Sequence, residues 1–479
     1  MRHQHYIAGQ WRASESGRVE PIINPATEDV LAQVAWGDSA DVDAAVSAAT
    51  KATSAWSRTS GRQRADYLRA IALGVAAERD NLARLQTANN GKPIAESRVD
   101  VDDVIATFDY YAGLAQDLDA AQDNPVALPN AAFEASLRYE PCGVVALIVP
   151  WNFPMVTTAW KLAPALAAGC CVVLKPSEIT PLPELALAEV IDSVGLRAGV
   201  FNLVVGGGAE VGAAMVAHSG VRKVSFTGST AIGGAVMKSA ADDIKNVSLE
   251  LGGKSAALVF ADADIERALD IVCQGIFYNA GQMCSATSRL LVERTVADDF
   301  IRGLKRRAEA IVVGDPMDGR TTMGPLTTRQ QYRKVLKYIE QGVAAGLHRV
   351  TGGQPVGQGK GFYLAPTIFA DVPVDSPLWR EEIFGPVLCV NTFESEQEAI
   401  SMANQSEFGL VATVLTGDKE RADRVSAALD VGLVWVNCPQ VIFPQTSWGG
   451  MKKSGIGREL GPWGMRAFQE IKHVVRCIG

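Results

Sequence analysis

A thiolate can attack a carbonyl carbon and a carboxylate can move a proton, so cysteine and glutamate are weighed first. Of the eight cysteines in this 479-residue sequence, Cys284 lies in a loop of small residues, Asn279-Ala280-Gly281-Gln282-Met283-Cys284-Ser285-Ala286. That loop follows a helical stretch marked by Ile265, Ala268, Leu269 and Val272. Cys142, Cys171, Cys273 and Cys389 sit in apolar contexts suited to inert buried thiols. No histidine neighbours Cys284 in the sequence, so a cysteine–histidine hydrolase gains no support. Glu250, in Leu249-Glu250-Leu251-Gly252-Gly253, is a lone acid inside an apolar segment. A buried carboxylate needs a partner or a raised pKa, so Glu250 is either satisfied structure or a general base.

Two loops could approach a pyrophosphate. Gly206-Gly207-Gly208-Ala209-Glu210-Val211-Gly212 is one residue off the dinucleotide fingerprint. Gly228-Ser229-Thr230-Ala231-Ile232-Gly233 follows the strand-like Val224-Ser225-Phe226 and opens a helix, where backbone N–H groups and the Ser229 hydroxyl can hold phosphate oxygens. Either loop alone is more often a plain glycine turn. Gly252-Gly253-Lys254-Ser255 mimics the end of a phosphate loop, but Ser248 stands where its first glycine belongs, which excludes a nucleotide triphosphatase. In Lys175-Pro176-Ser177-Glu178, the carboxylate could accept both ribose hydroxyls and repel a 2′-phosphate. By itself that tetrapeptide is more often a helix-capping turn.

These residues need a scaffold. Asp38-Ser39 predicts a helix start ahead of Val42, Ala45, Val46 and Ala49. A second helix carries Leu68, Ile71, Ala72 and Val75, and the helical region ends at Asn90-Gly91-Lys92-Pro93. Residues 122–141, with Pro125 and Pro129, read as a protruding hairpin. Apolar strands at 144–149, 171–174, 201–205, 221–226 and 256–260 alternate with helical segments near 157–168, 182–194, 209–218 and 229–242. That rhythm predicts an α/β fold with a doubly wound parallel sheet, whose ligands bind beyond the carboxyl ends of the strands. Pro150-Trp151-Asn152, Lys175–Glu178, Gly206–Gly208 and Thr227–Ser229 all fall there.

Composition narrows the class. A net charge of −8 with no basic tract argues against nucleic acid and anionic membrane as partners. No C-x-x-C or H-E-x-x-H occurs and the five histidines are scattered, so no metal site is expected. The N-terminal residues lack a signal-peptide apolar run, and the longest apolar stretches are too short to span a bilayer, which predicts a cytoplasmic protein.

Seven strings occur together in order: Pro150-Trp151-Asn152-Phe153-Pro154, Lys175-Pro176-Ser177-Glu178, Phe226-Thr227-Gly228-Ser229-Thr230, Glu250-Leu251-Gly252-Gly253-Lys254, Gly281-Gln282-Met283-Cys284, Glu381-Glu382-Ile383-Phe384-Gly385-Pro386 and Trp448-Gly449-Gly450-Met451-Lys452-Lys453-Ser454-Gly455. In these the chain resembles the NAD(P)-dependent aldehyde dehydrogenases, essentially end to end. The resemblance implies a Rossmann-like cofactor domain (1–121 and 142–252), an α/β catalytic domain (253–461) and oligomerisation elements (122–141 and 462–479). It implies Cys284 as nucleophile, Asn152 with the Cys284 backbone N–H as oxyanion hole, and Glu250 as the base that activates water. It assigns NAD, with NADP as alternative, to Trp151, Lys175, Ser177, Glu178, Gly208, Gly212, Phe226, Gly228, Ser229, Leu251, Glu382 and Phe384. It also implies a homodimer or homotetramer.

Within the family, the segment Val434–Gln440 through Trp448-Gly449-Gly450 looks most like the aminoaldehyde and betaine-aldehyde group. Phe153, Trp160, Tyr278 and Trp448 fall at positions that shape the substrate tunnel there, and aromatic faces attract ammonium groups. Phe153 replaces a tyrosine often found in that group, and Leu433 replaces a smaller residue of some betaine-aldehyde oxidisers. An ω-aminoaldehyde is therefore expected first and betaine aldehyde second. The alternatives are a broad-specificity aliphatic or aromatic aldehyde dehydrogenase and a non-catalytic scaffold. A CoA-acylating enzyme would normally lack the glutamate that Glu250 supplies.

Overall fold

The computed structural model describes residues 2–357 and 359–479. Two sheets divide the molecule. The first has five parallel strands at its centre, in the spatial order Phe201–Leu203, Cys171–Lys175, Val144–Ile148, Lys223–Thr227 and Asn246–Glu250. His5–Ile7 and Gln10–Arg12 add antiparallel at one edge, and Gly455–Ile456 at the other. Val144–Ile148 and Cys171–Lys175 are buried throughout, as strands covered by helices on both faces must be. The direction of winding reverses between Val144–Ile148 and Lys223–Thr227, and the loops leaving these two strands open a crevice there.

The second sheet runs in the order His348–Thr351, Thr367–Ala370, Val387–Phe393, Arg289–Glu293, Ala256–Val259, Val411–Leu415 and Leu433–Val436. All its strands are parallel except the first. Each sheet has its own buried apolar cluster, and Phe153 packs against both. Asn124–Val126, Phe133–Pro141 and Gln469–Cys477 form a separate antiparallel sheet.

Two features differ from the sequence-based expectation. Ala256–Val259, expected in the first sheet, is a central strand of the second. Its place in the first sheet is taken by Asn246–Glu250, whose alternating polar and apolar residues lack the continuous apolar run of a doubly covered strand. Residues 251–255 cross between the sheets. The segment 253–461 is also not confined to the second sheet, because Gly455 returns to pair with Glu250. The helix Ser39–Trp56 starts where expected, with the Asp38 side chain accepting the Ala40 N–H.

The crossing is pinned by the C-terminal segment. Leu251 N–H donates to the Ser454 carbonyl at 2.9 Å, and Ser454 Oγ donates to the Gly252 carbonyl at 2.8 Å. Gly455 has φ +142°, and a Cβ there would lie 2.0 Å from the Leu249 carbonyl oxygen. Gly455→Ala is therefore expected to cost about 2–4 kcal/mol and lower the thermal midpoint by several degrees in a melting scan. An unchanged midpoint would show that this edge is not held as described.

Candidate active site

Asn152 follows the strand Val144–Ile148, and Cys284 follows the helix Ile265–Phe277 by way of a short left-handed run. Asn279, Ala280 and Gly281 take φ of 47°, 52° and 73° in succession. Only glycine fits at 281, where a Cβ would lie 2.1 Å from the Gly385 carbonyl oxygen. Amides bind this run to the first domain. Asn152 Nδ2 donates to the Gln282 carbonyl at 2.8 Å, and Asn279 Nδ2 donates back to the Asn152 carbonyl at 3.0 Å. Asn90 Nδ2 donates to the Trp151 carbonyl at 2.9 Å. Asn152 has two amide N–H groups, so one is left for a ligand.

A cavity of about 560 Å³ runs along this seam, with Asn152 and Cys284 both on its wall. Phe153, Trp160, Tyr278 and Trp448 all line it. The Phe153 and Tyr278 rings are parallel within 3° at 6.4 Å, and Trp160 meets Trp448 at 5.3 Å. Leu433 is not on the cavity wall; it is partly buried against the apolar cluster that contains Trp435 and Trp448.

Glu250 is also absent from the wall. Its carboxyl is buried with neither oxygen hydrogen-bonded, and a Cβ on Gly449 would come within 2.7 Å of Oε1. Burial pushes its pKa well up, the charge of Glu459 adds to this, and Lys161 and Arg458 oppose it. Lys161 is itself ion-paired with Glu459, whose Oε1 accepts Ser225 Oγ–H at 3.4 Å. A neutral carboxyl behind the wall, next to a buried ion pair, can give up a proton, and the carboxylate so formed can take one up. The Cys284 thiol is pushed up to about 12 by burial and by the charges of Glu250 and Glu382, against partial support from the N–H groups of Ser285 and Cys284. It rests as a neutral thiol.

The residues expected around a cofactor fall into two groups. Trp151, Gly228, Ser229, Leu251, Glu382 and Phe384 line the same cavity as Cys284. Gly228 and Ser229 stand at the start of the helix Thr230–Ala241, where the Ser229 side chain caps Ile232 N–H. Phe226 lies beneath Gly228, whose absent Cβ would strike its ring at 2.5 Å. Glu382 Oε1 accepts Gly253 N–H at 3.1 Å, and Phe384 meets Trp151 edge to face at 5.3 Å.

The second group lies off the cavity. Lys175 Nζ donates to Glu178 Oε2 at 2.9 Å. Burial tends to raise the Glu178 pKa, but Lys175 and the N–H groups of Glu178 and Gly208 more than offset this and keep it ionised. Gly212 brings the backbone close to Lys175, its absent Cβ 3.6 Å from Cδ, and Ser177 Oγ caps Ile179 N–H at 3.2 Å. An open helix start, a bare glycine and a ribose-sized carboxylate–lysine pair fit a dinucleotide.

Sequence reasoning missed the acids of the helix Ile94–Leu118. Asp100 and Asp103 both line the cavity. Asp103 Oδ2 accepts Trp160 Nε1–H at 2.9 Å, and burial pushes this carboxyl up to about 7, the Trp160 N–H opposing. Asp100 accepts Lys92 Nζ at 2.5 Å and Gln86 Nε2 at 2.6 Å, and the Lys92 ammonium also sits 3.7 Å from the Phe153 ring centre. The spacing of Asp100 and Asp103 by three places them on one helix face, a signal present in the sequence. Gln331 and Lys334, also on the wall, donate to the carbonyls of Phe384 at 2.7 Å and Glu382 at 3.1 Å. Among the described residues no cluster could hold a metal ion and no helix is long and apolar enough to cross a membrane.

The fold and this constellation define an aldehyde dehydrogenase: the model of the aldehyde dehydrogenase family matches residues 11–474, and the chain belongs to that family. It is 46% identical to aminoaldehyde dehydrogenase 1, peroxisomal, of Pisum sativum, over 99% of this chain and 95% of the relative. It is also 46% identical to the chloroplastic betaine aldehyde dehydrogenase of Beta vulgaris, over 99% of this chain and 96% of the relative. A crystal structure of betaine aldehyde dehydrogenase from Staphylococcus aureus in complex with NAD+ superposes with a TM-score of 0.97 at 39% identity, covering 99% of this chain and 95% of that one.

A resting thiol near 12 makes a direct forecast. In cofactor-free protein, carboxamidomethylation of Cys284, followed by peptide mass spectrometry, should rise close to tenfold per pH unit between about pH 7 and 10. A plateau below pH 9 would mean a thiol far more acidic than this geometry allows.

Proposed function

We propose that this chain oxidises an ω-aminoaldehyde to the ω-amino acid, with NAD and water, through a covalent intermediate on Cys284. The observation that carries the substrate class is Asp103, a carboxyl on the wall of the aromatic cavity that also holds Cys284 and Asn152. Asp100 is already neutralised by Lys92, which leaves Asp103 as the carboxylate for an incoming ammonium group. Tryptophan faces beside it add cation–π attraction of about 0.5–2 kcal/mol each when desolvated.

In this reading the Cys284 thiol gives its proton to solvent water and Sγ bonds to the aldehyde carbon as the C=O π pair moves to oxygen, giving a thiohemiacetal alkoxide. The free N–H of Asn152 and the Cys284 backbone N–H stabilise that alkoxide. Bound NAD supplies the hydride acceptor that turns the thiohemiacetal into a thioester. Glu250, once its own proton has passed to solvent, takes a proton from water, the hydroxyl oxygen bonds to the thioester carbon, and the C–S bond breaks to release the acid and the Cys284 thiolate, which regains a proton from solvent. Lys161 and Arg458 favour the ionised form of Glu250, while Glu459 opposes it. Glu382 and Phe384 would position the nicotinamide through its ribose, with Trp151 and Leu251 on the same wall. Ser229 at the helix start beside Gly228 would hold the pyrophosphate, and Lys175 with Glu178 the adenosine ribose. The ionised Glu178 favours NAD over NADP.

Betaine aldehyde is the second reading, supported by the names of the relatives and by the same tryptophans. The exposed apolar residues Phe133, Ile471 and Val475 on the three-stranded sheet support a homodimer or homotetramer.

Cys284→Ala is expected to abolish NADH formation while NAD binding persists, and Glu250→Gln to accumulate an acyl-enzyme visible by intact-protein mass spectrometry. Turnover near wild type in Cys284→Ala would sink the mechanism.

Selectivity should follow the ionisation of Asp103. A carboxyl near 7 is about one-tenth ionised at pH 6 and nine-tenths at pH 8, so the kcat/KM ratio of 4-aminobutanal to hexanal should rise about tenfold over that interval. Asp103→Asn should raise KM for 4-aminobutanal about 10- to 30-fold, leave hexanal unchanged and flatten the pH dependence. Preference for hexanal or phenylacetaldehyde in wild type would favour the broad-specificity alternative.

A further inference from the structure

Glu96 does not line the cavity, yet it is the buried group that meets the catalytic loop where the loop is most strained. It lies in the first turn of the helix Ile94–Leu118, on the same face as Asp100 and Asp103, and is 8% exposed. Its Oε2 accepts the backbone N–H of Asn279 at 3.0 Å. Asn279 is the first of the three left-handed residues leading to Cys284, and non-glycine residues adopt that conformation at a cost. The Asn279 side chain in turn holds the Asn152 carbonyl. The preceding residue, Tyr278, stacks on Phe153 in the tunnel.

We propose that Glu96 is a positioning residue: by binding Asn279 N–H it holds the left-handed turn that sets Asn152 and Cys284 for attack on the aldehyde. The inference rests on the reading of Cys284 as nucleophile. Two contacts fix the same turn, the Gly385 carbonyl packed against Gly281 and the Glu96 carboxyl bonded to Asn279. Without the carboxyl, Asn279 N–H is a buried donor with no acceptor, and the turn relaxes to satisfy it. The three acids of this helix face then divide their tasks. Asp103 faces the substrate, Asp100 neutralises Lys92, and Glu96 anchors the loop.

The test is steady-state kinetics of Glu96→Ala, Glu96→Asp and Glu96→Gln in the full chain with NAD, using 4-aminobutanal and hexanal, with Cys284→Ala alongside. Glu96→Ala is expected to lower kcat about 10- to 100-fold for both aldehydes, with KM values within about threefold. Glu96→Gln, whose Oε1 can accept the same N–H, should recover kcat to within about threefold of wild type. Glu96→Asp is too short to reach and should resemble alanine, so it carries the test if the alanine variant does not fold. An unchanged kcat in Glu96→Ala or Glu96→Asp, or a glutamine variant as impaired as they are, overturns the proposal. A defect confined to KM for 4-aminobutanal also overturns it, since Glu96 would then be a substrate ligand. An active Cys284→Ala overturns the nucleophile reading itself. An inactive Cys284→Ala beside a normal Glu96→Ala overturns only the inference.

Discussion

One reciprocal pair of amide bonds ties the two domains at the point where chemistry must occur. Asn152 belongs to the first sheet's loops and Gln282 and Asn279 to the second domain, and each side donates to a carbonyl of the other. Each bond contributes only about 1 kcal/mol net, but an unmade one at this depth would leave a buried donor or acceptor stranded at a larger cost. The pair therefore specifies relative placement more than stability. Both sides of this joint reach the cavity wall, Pro150, Trp151, Asn152 and Phe153 from one and Tyr278, Met283, Cys284 and Ser285 from the other.

The second constraint is desolvation. Placing Cys284, Glu250, Asp100, Asp103 and Glu96 along one buried seam pushes each of them toward its neutral form, with burial the largest cause in every case. Ion pairs offset this selectively. Lys92 is spent on Asp100 and Lys161 on Glu459, while Glu250 and Asp103 have no cation of their own. Glu96 also lacks a paired cation but is taken up by the Asn279 N–H, so Glu250 and Asp103 are the two left free to respond to ligand chemistry, one behind the nucleophile and the other farther along the cavity.

Much of this was legible in the sequence, for identifiable reasons. The Cys284 loop stood out because its run of small residues is unusual for a helix exit, and the loops after 149, 174 and 226 because they follow short apolar strands. Asn246–Glu250 was not legible as a strand: its polar alternation and terminal charge suit a half-exposed edge, whereas here Gly455–Ile456 covers that edge antiparallel. The same misreading placed Ala256–Val259 in the wrong sheet, since a buried apolar tetrapeptide looks alike in either. Asp100 and Asp103 were passed over because acids on a long helix usually face solvent. Their burial follows from packing of that helix against Pro154–Ala168, which local pattern does not report.

That packing also explains why a cation suits the cavity. Glu96, Asp100 and Asp103 occupy one face of a single helix with one lysine between them, so the face carries more carboxyl groups than internal charge can balance. In the free protein burial pushes Asp103 up to about 7 and Glu96 up to about 8, and the neighbouring Asp100 charge adds to both, so protonation relieves the imbalance. A ligand ammonium against Asp103 relieves it differently, letting the carboxyl ionise while the tryptophan faces exclude water. The gain is the difference between two ways of satisfying the same buried group, of the order of a few kcal/mol, and an uncharged aldehyde collects none of it. On the proposed reading, substrate preference arises from a local electrostatic deficit built by helix packing, independent of the chain's net charge of −8.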